Sequence, residues 1–239
     1  MSLDYKDFPE PQLDPKINPR PARSGSQPVI VAAVRTPIGK FQGSLAPMSA
    51  PQLGAVVVKE LLSRSGVDSE LVDEVIFGNV LSAGLGQNPT RQVIIHSGMD
   101  PRVPGFTINK VCASGLKSVA LAAQAIRAGD SRIVIAGGME SMSRAPYLLD
   151  KARDGYRLGH GKLIDSMIAD GLWDPYSDFH MGNTGELVAQ KYSLSREQQD
   201  EYAYQSHQKA LAAMAAGKFA AEIVPVEVPA GKGKTTTFE

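Results

Sequence analysis

The chain has 239 residues, 43% of them hydrophobic and 21% charged, with Lys and Arg balancing Asp and Glu to a formal charge of zero. That length suits one large or two small domains, and the zero balance provides no long-range field to draw nucleic acid or an anionic membrane. A single cysteine excludes an intrachain disulfide framework and any multi-cysteine metal site, and it suits a reducing compartment, so a cytoplasmic location is expected.

Residues 1–27 carry four acids, four bases and Pro9, Pro11, Pro15, Pro19 and Pro21. Such a segment buries too little apolar surface to offset its ordering entropy and reads as a flexible extension. Its acids (Asp4, Asp7, Glu10 and Asp14) argue against a transit peptide, and no stretch approaches the roughly 20 apolar residues of a membrane span.

Pro28–Val34 is an apolar, β-branched run that predicts a strand buried on both faces. Ser49 with Gln52 forms a capping-box pair that opens a helix, Leu53, Val57 and Leu61 recur on one face, and Gly66 ends it. A second strand is predicted over about Glu74–Val80 and a short helix over about Thr90–Ser97, with Gly98 as its stop. Phe106–Val111 predicts a third strand that runs directly into Cys112.

The next helix, about Ala113–Ala128, carries small residues on nearly every face and reads as a central, buried element closed by Gly129. Ile133–Ala136 makes a fourth strand ending in Gly137-Gly138. Strands alternating with helices predict an α/β layered domain with a largely parallel sheet, whose sites lie at the carboxyl ends of the strands. Asn79, Cys112 and Gly137-Gly138 all fall there. Residues 147–181 read as irregular. Helices are predicted at about Gly182–Tyr192 and Ser195–Ala216, then a half-exposed strand at Glu222–Val228, and finally a Lys/Gly/Thr tail.

Cys112 is the candidate nucleophile. A helix start offers unpaired N–H groups and a positive dipole end, both of which favour a thiolate, and the thiolate is the reactive form. On position alone, a small buried hydrophobe is the competing reading. His96 and His207 lie on predicted helices and read as structural or exposed.

Several motifs, in order, carry a family resemblance: Val34-Arg35-Thr36-Pro37-Ile38-Gly39, Gly86 to Gln92, Asn109 to Ser118 around Cys112, and Ala136 to Ser143. Asp170-Gly171-Leu172, His180-Met181-Gly182 and Leu194 to Asp200 continue the series. From about residue 28 onward the chain resembles the thiolase family, acetyl-CoA acetyltransferase type. The resemblance implies a layered α/β/α N-terminal domain over 28–145 with a mixed, mostly parallel sheet. It further implies a truncated, partly helical loop domain over 146–239 that contacts coenzyme A.

It also implies acyl transfer between coenzyme A thioesters through an acyl thioester on Cys112, condensing two acetyl-CoA to acetoacetyl-CoA or running the reverse thiolysis, with no cofactor or metal. His180 and Met181 match residues at the acyl and pantetheine end of the substrate tunnel, and Leu172 matches a residue lining the coenzyme pocket. Gln87-Asn88 matches a loop crossing the dimer interface. Lys151–Asp165 matches a region that can mediate tetramers, so a homodimer or a homotetramer is expected.

Complete thiolases continue into a second half that supplies a Gly-His-Pro histidine, an Asn-Glu segment and a second cysteine. None of these is present here. Activity of this chain alone is therefore doubtful, and a complementary C-terminal half is an expected partner. The alternative is an inactive thiolase-fold interaction subunit or gene remnant. A ketoacyl-synthase-like condensing enzyme is disfavoured by the Gln87-Asn88-Pro89 and His180-Met181-Gly182 stretches.

Overall fold

The computed structural model describes residues 27–231 and 233–239; the extension expected over residues 1–27 therefore lies, but for its last residue, outside the described residues. At its centre are three parallel strands, β1 (Glu74–Gly78), β2 (Gly105–Ile108) and β3 (Val134–Gly138), in the order β2-β1-β3. Val75 pairs with Gly105 on one side and with Ile135 on the other, so β1 is the fully hydrogen-bonded middle strand. All pairings in this sheet are parallel, the α/β arrangement that alternating strands and helices predict.

Three helices flank the sheet: α1 (Ala50–Ser65), α2 (Pro89–Ser97) and α3 (Ser114–Ala128). The capping box forms as its sequence requires. Ser49 Oγ accepts from the Gln52 N–H while Gln52 Oε1 accepts from the Ser49 N–H at 2.8 Å. Gly66, Gly98 and Gly129 end the three helices in the left-handed conformation that glycine adopts without a Cβ penalty.

Alternation along β1 sorts the layers. Val75 and Phe77 join Val58 of α1, Val93 and Ile94 of α2, and Ile135 and Met139 in the main core. Gly78 faces the start of α3 instead. Gly54 lets α1 lie against α2, because a Cβ there would come within 2.7 Å of Val93 Cγ2.

The remaining chain forms three small antiparallel pairs and two helices. The pairs are β4 (Tyr147–Leu148) with β5 (Ile164–Asp165), β6 (Trp173–Asp174) with β7 (Phe179–His180), and β8 (Val226–Pro229) with β9 (Thr235–Phe238). The helices are α4 (Met181–Lys191) and α5 (Arg196–Ala215), the latter opened by a capping box of Ser195 and Gln198.

Five expectations are corrected. Pro28–Val34 is not a strand: Val29, Ile30 and Val31 are 70–80% exposed, and the one bridge nearby joins Arg35 to Ile223. A strand needs a neighbour for its N–H and C=O groups, and among the described residues none lies alongside this run. The helix after Cys112 is buried along one stripe only, at Ser114, Ser118 and Ala122, where it meets β1 and β3. Its outer side leaves Leu116 75% exposed.

The tail expected after Val228 is a strand, β9, because Val226 and Val228 need cover. Together with Phe238 they bury against Leu45 and Met48 ahead of α1 and against Leu53 and Val56 on its outer side. Residues 147–181 are less irregular than their composition suggests, since two of the small strand pairs, β4 with β5 and β6 with β7, fall within them. The second and third strands are also shorter than predicted, stopping at Gly78 and Ile108.

Asp73 holds β1 and β3 together at their amino ends. Its Oδ2 accepts from the N–H groups of Arg132 (2.6 Å) and Ile133 (2.9 Å). These bonds, Ile133 first, lower its pKa below the ordinary value of 3.8. The stability this confers is therefore present above about pH 3.8 and is lost as pH falls through the lowered folded-state value. Asp73→Ala is expected to cost about 1 kcal/mol at pH 7 after solvent screening. Urea denaturation at a series of pH values checks this, with the gap from wild type closing in acid.

Candidate active site at the carboxyl ends of the strands

The β1–β2 ladder ends where the Asn79 N–H donates to Ile108 O at 3.0 Å, and the chain then turns sharply through Asn109–Ala113 into α3. Val111 takes φ 48°, a left-handed conformation that a β-branched side chain rarely adopts. Cys112 follows it as an exposed free thiol. Its backbone N–H has no hydrogen-bond partner among the described residues. The sulfur is thus on the surface at a strand-to-helix junction, where sequence reading puts the candidate nucleophile.

Three glycines bring α3 onto the sheet at this point. A Cβ on Gly78 would lie 2.6 Å from the Ser114 carbonyl carbon and Cβ, and 2.8 Å from Gly115 N. One on Gly138 would lie 3.3 Å from Gly115 Cα. Ser118, fully buried one turn further on, donates to Gly137 O at 2.7 Å. Of the Gly137-Gly138 pair, Gly138 together with Gly78 makes room for the start of α3, whereas a Cβ on Gly137 would meet the Phe77 ring at an ordinary 3.5 Å.

A buried polar cluster fixes the same strand ends. Glu140 Oε1 accepts from Asn79 Nδ2 (2.7 Å) and from the Leu81 N–H (3.1 Å), and its Oε2 accepts from the Val80 N–H (2.9 Å). Burial pushes the Glu140 carboxyl above its usual range, opposed by the hydrogen bonds from Val80, Leu81 and Asn79. The Met139 N–H donates to Gly78 O at 2.9 Å, which completes the tie between β1 and β3.

Leu172, His180 and Met181 border a small hairpin. In the β6–β7 hairpin Trp173 pairs with His180, while Leu172 ends the helical segment Ile168–Leu172 just before β6 and Met181 opens α4. His180 also caps α4, its Nδ1 accepting from the Gly182 N–H at 3.0 Å. Gly171 packs on Leu81, the residue whose N–H is held by Glu140: a Cβ on Gly171 would sit 3.3 Å from Leu81 Cδ2. His180 thus lies in the hairpin with Leu172 and Met181 flanking it along the chain, and Gly171 rests this segment on the loop leaving β1. No hydrogen bond or ion pair among the described residues joins them to Cys112.

Sequence reading missed Glu140, Asn109 and Ser114. An acid two residues past a Gly-Gly strand end, and an Asn two residues before a kinked position, are the signals that point to Glu140 and Asn109. Among the described residues no group of three or more His, Cys, Asp or Glu side chains is arranged to hold a metal ion.

Residues 28–239 match the family model described as "Thiolase, N-terminal domain". The chain belongs to the thiolase family. This thiolase is 56% identical over 211 residues to the acetyl-CoA acetyltransferase of Pseudomonas aeruginosa and 59% identical over 211 residues to that of Escherichia coli. Each alignment covers 88% of this chain, and 54% and 53% respectively of the relative. The crystal structure of the Bacillus anthracis acetyl-CoA acetyltransferase superposes with a TM-score of 0.84 at 39% identity, over 88% of this chain and 53% of that one. The thiolase chain described here therefore spans about half the length of the curated relatives it matches.

Gly78→Ala tests the glycine contact. The added methyl meets backbone that cannot swing away, so α3 must lift from the sheet. A loss of about 3 kcal/mol is expected by urea denaturation, at the upper end of overpacking costs. Gly129→Ala, whose Cβ would meet nothing within 4 Å, is the control for conformational strain alone.

Proposed function

We propose that this chain carries the acyl-accepting half of a thiolase site, with Cys112 taking an acetyl group from acetyl-CoA. The single observation that carries this reading is the exposed Cys112 thiol beside a free backbone N–H at the glycine-seated start of α3. In the step, the Cys112 sulfur attacks the thioester carbonyl carbon. A new C–S bond forms, the C–S bond to coenzyme A breaks, and the departing coenzyme A thiolate takes up a proton. One thioester replaces another, so the acyl group is held without a deep energy well. The free Cys112 N–H is placed to donate to the oxyanion of the tetrahedral intermediate.

Leu172, His180 and Met181 are the residues we assign to the acyl and pantetheine end of the substrate, with coenzyme A and acetoacetyl-CoA as the product pair of condensation. The domain division expected at residue 145 goes with this assignment: the sheet unit presents the nucleophile and the later segment contacts the coenzyme. Among the described residues no histidine or carboxylate is hydrogen-bonded to Cys112. Full turnover therefore draws its base and its α-proton acceptor from the remainder of the longer fold that the relatives share.

The bare outer side of α3, with Leu116 75% and Val119 39% exposed, favours a complementary C-terminal half as the covering partner. Homodimer or homotetramer assembly in the cytoplasm belongs to the same reading. Among the described residues, no helix is long and apolar enough to cross a membrane.

Intact-mass measurement after incubation with acetyl-CoA tests the proposal. Wild type is expected to gain one acetyl group per chain slowly, and Cys112→Ser none. The chain alone is expected to form no acetoacetyl-CoA. Acetylation of Cys112→Ser at the wild-type rate, or no acetylation of wild type, overturns the assignment; robust thiolysis by the purified chain, abolished by Cys112→Ala, overturns the expectation that the base and α-proton acceptor lie elsewhere.

A further inference from the structure

The loop that presents Cys112 is held in an unfavourable conformation, and the groups that hold it are side chains given no role so far. Val111 stands at φ 48°. A left-handed β-branched residue persists only where its surroundings over-determine it. Both backbone groups of Val111 are tied. Its N–H donates to Asn109 Oδ1 at 2.9 Å, and its C=O accepts from Ser114 Oγ at 2.6 Å and from the Ser114 N–H at 3.1 Å. Ser114 Oγ in turn accepts from the Lys110 N–H at 2.8 Å, which closes a ring over residues 110–114 with Cys112 inside it.

The Ser114 side chain is 4% exposed and rests against Gly78, so the latch is anchored on β1. Cys112 itself stays at the surface. Beside the Ala113 N–H to Lys110 O bond (3.1 Å) and the seating of α3 on Gly78, these are the bonds that act directly on the two peptide units of Val111, and their loss lets it relax toward negative φ, a rotation that would swing the next residue, Cys112, off the start of α3.

We propose that Ser114, assisted by Asn109, is a positioning residue that holds Val111 in the left-handed conformation and so presents the Cys112 sulfur. The inference rests on the reading of Cys112 as the acyl acceptor, but its main readout does not. That readout is the second-order rate of Cys112 alkylation by iodoacetamide, followed by intact mass well below the melting midpoint measured by circular dichroism.

Ser114→Ala is expected to slow alkylation roughly tenfold, because a sulfur swung off the start of α3 loses the N–H groups that stabilise charge on it. In a Val111→Gly background, where the left-handed conformation carries no Cβ penalty, the same change is expected to slow it by less than about threefold. Asn109→Ala is expected to slow it in the same direction, and Asn109→Asp, which keeps the acceptor oxygen, to restore the wild-type rate. A purely structural Ser114 would lower the melting midpoint equally in both backgrounds and leave the alkylation rate unchanged.

Equal slowing by Ser114→Ala in both backgrounds, no slowing in either, or an unreactive wild-type Cys112 overturns the proposal. Should Ser114→Ala fail to fold, the exposed Asn109 gives the same comparison, Asn109→Ala with and without Val111→Gly. Acetylation by acetyl-CoA, run in parallel, separates the two ideas. Latch-dependent alkylation without acetylation of wild type keeps the latch and removes the acyl-transfer reading. Acetylation of wild type with no variant altering either rate does the reverse.

Discussion

The close seating of α3 on the strand ends is the constraint on which the rest of this structure depends. Gly78 and Gly138 leave no side chain between the sheet and the first turn of the helix, so backbone meets backbone. Contacts that close have no slack. They fix where the chain leaves β2, how sharply it turns, and which residue stands at the turn. The cost is local: a strained Val111 and three glycines where side chains would otherwise add packing. The Glu140 cluster answers the second cost by binding the two strand ends through hydrogen bonds instead of apolar contact.

How far the sequence alone reaches follows from the range of the forces involved. Helix ends were legible because their causes are local: the Ser49–Gln52 and Ser195–Gln198 boxes, and Gly66, Gly98 and Gly129, each act within a few residues. The position of Cys112 at a strand-to-helix junction was legible for the same reason. Pro28–Val34 was misread because β-branched composition reports a preference for extended backbone, while a strand exists only once a neighbour accepts its hydrogen bonds. The burial of α3 was overestimated on the same ground, since small residues permit close packing without saying what packs there. β9 went unseen because Thr235–Phe238 is covered through Val226 and Val228, not through its own pattern.

The site was legible in part. Cys112, His180, Met181 and Leu172 were marked by motif, and the last three border the β6–β7 hairpin. What no motif conveys is the set of partners. That Glu140 reaches back sixty residues to Asn79 and Val80 is a property of strand order, because β1 and β3 are neighbours in space and not in sequence.

The hairpin of β8 and β9 has a kinetic meaning as well. Arg35 pairs with Glu222 across 187 positions, its backbone joins Glu222 and Val224, and its guanidinium lies 5.0 Å from the Phe219 ring centroid. Those contacts close one very large ring of polypeptide, and nearly the whole chain must be ordered, or at least synthesised, before they form. The entropy of such a closure grows only slowly with ring size, but the wait for it does not shorten. The outer side of α1 therefore stays open until the segment carrying Val226 and Val228 has been made, and in that interval it is an apolar surface available to other nascent chains.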